Sequence, residues 1–169
     1  MSIGFLTEDD GPIIWRGPMV QGAISKMLWD VNWGKLDYLI IDMPPGTGDA
    51  QLGLAQDIKP KGAIIVSTPQ DLALADARKG VKMFEKVDIP IVGLIENMAV
   101  FICPDCGGTH HIFGKDGAKI EAENMGVPYL GAAPLDMAIR ESGDAGAPAA
   151  MGDDKVAQIF ADMAEAVIN

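Results

Sequence analysis

The chain has 169 residues, 49% of them apolar and 22% charged, and carries a formal net charge of −11. This is the composition of one globular domain with a sizeable core, and it excludes a disordered segment. The acidic balance offers no basic stripe for phosphate contacts, so no nucleic-acid partner is expected; two cysteines cannot build a secreted disulfide framework.

The first residues, MSIGFLTEDD, show neither a basic start nor a long apolar segment, so no signal peptide is visible. The longest apolar stretch, residues 89–95, is far short of a span and is interrupted by Pro90 and Gly93. A cytoplasmic protein without a membrane partner is the expectation.

Strand-like and helix-like segments alternate, the pattern of α/β architecture with a mostly parallel sheet and flanking helices. Residues 2–6 read as a short strand, followed by a turn at residues 8–11. Pro18 suits the first turn of a helix whose Val20, Ala23, Ile24, Met27 and Leu28 fall on one face, with Asn32, Trp33 and Gly34 ending it. Residues 38–41 (YLII) then form a short apolar run closing on Asp42, which predicts a strand buried on both faces. Pro44 and Pro45 forbid its continuation, and Gly46, Thr47 and Gly48 allow a sharp turn that presents bare N–H groups. An acid just beyond a strand, followed by a glycine-rich turn, suits a hydrated Mg²⁺ and the terminal phosphate of a nucleotide. A strand ending in an ordinary polar turn is the plainer alternative.

Residues 50–57 read as a short helix and residues 63–67 (AIIVS) as a second fully apolar strand. Thr68 is placed to cap the next helix, Asp71 favours its first turn, and Ala77, Val81, Phe84 and Val87 line one side. Residues 89–96 form a third strand candidate, ending at Glu96, Asn97 and Met98. A helix over residues 114–125, a strand over 127–133 and a final helix over 153–168 complete the pattern. In that last helix Val156, Ile159, Phe160, Met163 and Val167 make the apolar stripe, and the Gly/Ala/Pro-rich residues 142–152 before it read as a surface linker.

Cys103 and Cys106 sit just beyond the third strand in the string CPDCGG. Two intervening residues let both sulfurs face one metal from a tight turn, and Gly107 and Gly108 give the backbone room to fold around it. A full site needs four ligands, and there is no second CxxC pair. Three readings stand side by side: a homodimer sharing a cluster, a zinc site completed by His110 and His111, and a pair of reduced thiols in a loop.

Five strings occur in fixed order: WRGPM at 15–19, DYLIIDMPPGTGD at 37–49, TPQDLALADARKG at 68–80, ENM at 96–98 and CPDCGG at 103–108. Together they resemble the Mrp/ApbC-type iron–sulfur cluster carriers, relatives of the MinD and ParA ATPases in the P-loop class, over essentially the whole chain. The resemblance implies a P-loop NTPase-like domain over residues 1–169 of a homodimeric ATPase, holding a labile 4Fe–4S cluster and passing it to apo iron–sulfur proteins. By the same resemblance Asp42 is the acid that orders Mg²⁺ through water. Pro45, Gly46, Thr47 and Gly48 form the loop facing the γ-phosphate of ATP, and Asn97 reads the adenine edge. Cys103 and Cys106 ligate the cluster across the dimer. From residue type alone, Asn97 reads as a turn or capping residue.

Two other functions compete. A MinD-like positioning ATPase needs a basic amphipathic tail, whereas the last helix carries Asp153, Asp154, Asp162 and Glu165 against Lys155. A zinc-stabilised interaction domain would lose its structure to a chelator.

The sequence departs from the family at one motif. Gly-Lys occurs only at Gly34-Lys35 and Gly114-Lys115, followed by Leu36 and Asp116, so no GxxxxGK[ST] lies in these 169 residues. The chain therefore reads as the C-terminal part of a carrier, lacking the P-loop strand expected between residues 38–42 and 63–67. Those two apolar strands should either pair with each other or leave backbone unpaired, making the chain marginal by itself. Without nested N–H groups and a phosphate-binding lysine, ATP binding by this 169-residue polypeptide should be weak; submicromolar affinity in calorimetry would contradict that.

Overall fold

A computed structural model of the chain describes residues 1–6, 17–43, 46 and 48–168. The chain divides into two compact units, Met1–Pro60 and Lys61–Asn169.

In the first unit, Ile3–Leu6 form a short 3₁₀ turn rather than the expected strand. The Ser2 carbonyl accepts from the Phe5 N–H at 3.0 Å and the Ser2 hydroxyl from the Gly4 N–H at 3.3 Å. Such local bonds offer the backbone an alternative to a ladder. Two helices follow, α1 (Gly17–Trp29) and α2 (Asp49–Ile58). They pack closely where a Cβ on Gly53 would stand only 2.7 Å from Gln21 Nε2, with Ala23, Ile24 and Ala55 buried. After α1, the Asn32 side chain accepts from the Gly34 N–H at 3.2 Å, and Gly34 takes φ +67, which turns the chain.

The expected strand over residues 38–42 does not form. Residues 38–43 take no regular secondary structure and have no ladder partners among the described residues, and Tyr38, Leu39 and Ile40 are exposed, Ile40 at 80%. An apolar run supplies propensity, but a strand exists only when a neighbouring strand takes up its N–H and C=O groups.

In the second unit the elements run β1 (Ala63–Ser67), α3 (Asp71–Lys86), β2 (Ile91–Glu96), β3 (Phe101–Ile102), β4 (Thr109–His110), α4 (Gly117–Met125), β5 (Tyr129–Ala132), α5 (Met137–Asp144) and α6 (Lys155–Ile168). Strands β1, β2 and β5 form a parallel sheet in the order β1-β2-β5, and β3 pairs antiparallel with β4. The mostly parallel sheet with flanking helices is the α/β class that the alternating pattern predicts. The same pattern locates α3, β2, α4, β5 and α6 to within a few residues and β1 at its exact bounds. It misses the β3–β4 hairpin and α5, whose last residues occupy the start of the expected linker.

Leu94 of β2 is fully buried at 0% exposure. Ile65 of β1 meets α3, where a Cβ on Gly80 would be 3.6 Å from Ile65 Cδ1. Gly131, at φ +143, lets α6 close on β5, since a Cβ there would lie 2.7 Å from Met163 Cγ. Strand β1, though fully apolar up to Ser67, is buried on one face only: Ala63, Ile65 and Ser67 are buried, but Ile64 and Val66 are exposed, Val66 at 59%. Within this unit, no described strand pairs with its outer edge. Thr68 does not cap α3 either. Gln70 holds the N-cap position without a side-chain bond, and the Thr68 hydroxyl donates to Gln70 Oε1 at 3.4 Å.

Replacing Leu94 by alanine leaves a cavity at the centre of this sheet and should cost about 2–5 kcal/mol of stability. Denaturant titration should show it as a lower midpoint at unchanged slope.

Candidate metal centre

Strand β2 runs almost without interruption into the segment that carries both thiols. Its ladder is extended by Asn97 N–H donating to the Ser67 carbonyl at 2.8 Å and Ala99 N–H to the Ala133 carbonyl at 3.0 Å. Leu135 N–H then donates to the Val100 carbonyl at 2.8 Å, beside an isolated parallel bridge from Phe101 to Leu135. The β3–β4 hairpin follows, with Phe101 opposite His110 and Ile102 opposite Thr109.

The loop between these strands is the CxxC turn. Cys103 N–H donates to the Gly108 carbonyl at 2.8 Å, and Gly107 N–H donates back to the Cys103 carbonyl at 2.9 Å. Gly107 takes φ +69, a left-handed conformation that glycine adopts without penalty. Gly108 keeps this corner open, since a Cβ there would come 3.3 Å from Cys106 Sγ and 3.4 Å from His110 Nε2. Both cysteines are free thiols, Cys103 half-buried and Cys106 exposed.

The turn wraps its own donors around one sulfur. The backbone N–H of Cys106, then that of Asp105, then the Cys106 side chain hydrogen-bond to Cys103 and hold its thiol below the ordinary value. Donors aimed at a sulfur favour its charged form, and the thiolate is the form that ligates metal. Two neighbouring thiols on a turn with N–H···S bonds fit a thiophilic metal such as iron in a cluster.

The histidines do not complete the set. His111 Nδ1 lies 3.1 Å from the Ala99 carbonyl, tying β4's end back to the segment after β2, and the His110 ring faces Phe101 at 6.4 Å between centroids. Among the described residues, no three His, Cys, Asp or Glu side chains converge where a metal ion could be held. One chain thus contributes two thiols.

The remaining candidates fall in both units. Asp42 is exposed after the irregular residues 38–41, Gly46 is exposed at φ +100, and Gly48 is the N-cap of α2. Pro45 and Thr47 lie outside the described residues. Asn97 is half-buried at the carboxyl end of β2, where its Oδ1 accepts from the Met98 N–H at 3.0 Å and leaves the amide NH₂ as its remaining donor. Met98 takes φ +54, so the chain bends immediately after it. Within a unit, the structure brings together the two thiols.

Sequence reasoning passed over Glu96. This carboxylate ends β2 yet is 2% exposed, and its Oε2 accepts from the Ala118 N–H at 2.7 Å. Burial first, and then the charges of Glu96 and Asp116, push the nearby Tyr129 phenol up to about 12. An acid terminating an apolar strand is the one signal that could have marked it.

The parallel sheet with flanking helices, carrying a thiol turn beyond the carboxyl end of its middle strand β2, defines an α/β protein. The family model described as "ParA: NUBPL iron-transfer P-loop NTPase" matches residues 1–168, and the chain belongs to that family. It is 53% identical over 166 residues to a protein of Pseudomonas fragi named "Iron-sulfur cluster carrier protein", covering 97% of this chain and 58% of that one. It is 55% identical over 148 residues to mouse "Iron-sulfur cluster transfer protein NUBPL", covering 88% and 46%. An Arabidopsis thaliana relative, "Iron-sulfur protein required for NADH dehydrogenase, mitochondrial", is 51% identical over 170 residues, covering 99% and 54%. The chain thus spans about half the length of the curated relatives it matches. Among solved structures, a nucleotide-binding protein of Archaeoglobus fulgidus in complex with ADP and described as containing Co superimposes with a TM-score of 0.71 at 40% identity, covering 87% of this chain and 56% of that one. The cell-division ATPase MinD of Pyrococcus furiosus, at TM-score 0.65 and 23% identity over 94% of this chain and 63% of that one, shares the fold.

Cys103 should alkylate with a pH midpoint below the ordinary thiol value of 9.0, because its thiolate is already hydrogen-bonded. Replacing Cys106 by alanine removes one of those bonds and should move the midpoint up. Iodoacetamide labelling resolved by fragment-ion mass spectrometry reads both, and a wild-type midpoint at or above 9.0 would contradict the geometry.

Proposed function

We propose that this chain carries an iron–sulfur cluster as cargo, held by Cys103 and Cys106 from each of two copies and passed to apo iron–sulfur proteins. The observation that carries this reading is the half-complete donor set: two adjacent thiols on a turn that favours the thiolate, with no third ligand among the described residues. A cubane cluster takes four thiolates, which two copies supply. The names of the bacterial and mouse relatives support iron–sulfur chemistry. No helix among the described residues is long and apolar enough to cross a membrane, and the cytoplasm, which keeps thiols reduced, suits this site.

In this reading the other strand-end residues serve a nucleotide. Asp42 orders Mg²⁺ through water, Pro45, Gly46, Thr47 and Gly48 face the terminal phosphate, and Asn97 offers its amide to the adenine edge. ADP in the Archaeoglobus relative supports nucleotide binding in this fold. Hydrolysis of ATP belongs to the proposal at the level of the whole family protein.

Transfer needs the cargo held by ligands that exchange. Exposed Cys106 is the ligand an acceptor's thiolate can displace from iron, leaving as a free thiolate as the acceptor sulfur–iron bond forms, while Cys103 stays bound until a second exchange. Neither residue needs to change oxidation state for ligand exchange to proceed.

Anaerobic reconstitution with ferrous iron and sulfide should give a brown dimer with about one 4Fe–4S cluster per two chains. Serine at either Cys103 or Cys106 should abolish the colour. Material that stays colourless and monomeric under those conditions would overturn the reading.

A further inference from the structure

The two thiols ride on a long excursion that follows Glu96, keeps sheet-like bonds through Asn97, Ala99 and Val100, and returns at the start of α4. Both ends of that excursion are tied to Glu96, one by its backbone and one by its side chain. Glu96 contributes its backbone to the exit point, where its carbonyl accepts from the Ala133 N–H at 2.8 Å. Its carboxylate reaches the return point, accepting from the Ala118 N–H at 2.7 Å across 22 positions of sequence. Ala118 is fully buried, so this bond is sheltered from water.

Helix α4 lacks a cap of its own. Asp116, its N-cap, sits in the left-handed region at φ 56 and makes no side-chain capping bond. The first N–H groups of a helix are orphan donors carrying partial positive charge, and a buried carboxylate is tolerable where such donors meet it. Glu96 therefore performs from the neighbouring strand what Asp116 does not perform locally. The return point is also pinned sterically, since a Cβ on Gly117 would fall 2.5 Å from the Pro69 carbonyl oxygen.

We propose that Glu96 is a positioning residue for the thiol site: its carboxylate clasps the base of the 97–117 excursion shut and so holds the CxxC turn in its metal-ready conformation. It touches neither sulfur and acts through the backbone at both ends of the excursion. The metal side of this inference rests on the reading of Cys103 and Cys106 as metal ligands; the clasp itself does not.

The test compares Glu96→Gln, which keeps an acceptor of the same reach, with Glu96→Met, which keeps length and loses the acceptor. In the metal-free protein, Glu96→Met should raise the hydrogen-exchange rates of the Ala118 and Cys103 amides about tenfold, while Glu96→Gln, which keeps a neutral acceptor, raises them less. Co²⁺, followed by its thiolate charge-transfer absorption, should dissociate from Glu96→Met faster by a similar factor, and from Glu96→Gln by less. Exchange rates in the Met variant equal to wild type would overturn the clasp. If wild type takes up neither Co²⁺ nor iron, the ligand reading fails, and the exchange rates still decide the clasp. Should Glu96→Met not fold, hydrogen exchange on wild type decides: the Ala118 amide should be as protected as the amides of β2, and exchange at the rate of an exposed loop would refute the proposal.

Discussion

The parallel pairing of β2 with β1 on one side and β5 on the other is the constraint on which the second unit depends. It uses the backbone groups on both edges of β2 and buries Leu94 completely. The register is carried past the strand by Asn97 and Ala99, whose N–H groups bond to Ser67 and Ala133. The thiol-bearing hairpin therefore starts from a fixed point. A loop grafted on a mobile segment could not hold two sulfurs in one turn.

Electrostatics at the carboxyl end of β2 divide between two compensations. N–H donors within its own turn hold the Cys103 thiol below its ordinary value, while its neighbour Cys106 is exposed. Glu96 is a buried carboxyl group, and the N-terminus of α4 donates to it. Tyr129 answers to the same region, since burial and the negative charges of Glu96 and Asp116 disfavour its phenolate. One compensation lies within the thiol turn, and the other lies between β2 and α4.

The sheet offers an unusual edge. Strand β1 alternates buried and exposed residues, covered by α3 on one face and bare at Ile64 and Val66 on the other. Tyr38, Leu39 and Ile40 are likewise exposed, and residues 38–41 form no ladder among the described residues. Both segments are apolar enough for a two-sided strand, and among the described residues neither has the neighbour on its open side that would make it one. The same hydrophobic pattern thus yields a ladder at residues 91–96 and none at 38–42.

Much of this protein was legible from the order of its residues. Apolar periodicity alone determines the helices α1, α3, α4 and α6 and the strands β1, β2 and β5, because 3.6-residue and unbroken apolar patterns are local properties of the chain. The CxxC spacing determines that two thiols share one turn, since two intervening residues and two following glycines suffice for it. The tertiary structure decided what depends on partners distant in sequence. It left residues 38–42 without a ladder, directed His111 to Ala99 rather than to a metal, folded the Phe101 and His110 segments into a hairpin too short to show periodicity, and buried Glu96 against Ala118. Hydrogen bonds between residues far apart are satisfied or refused by what the fold brings beside them, and no local pattern encodes that.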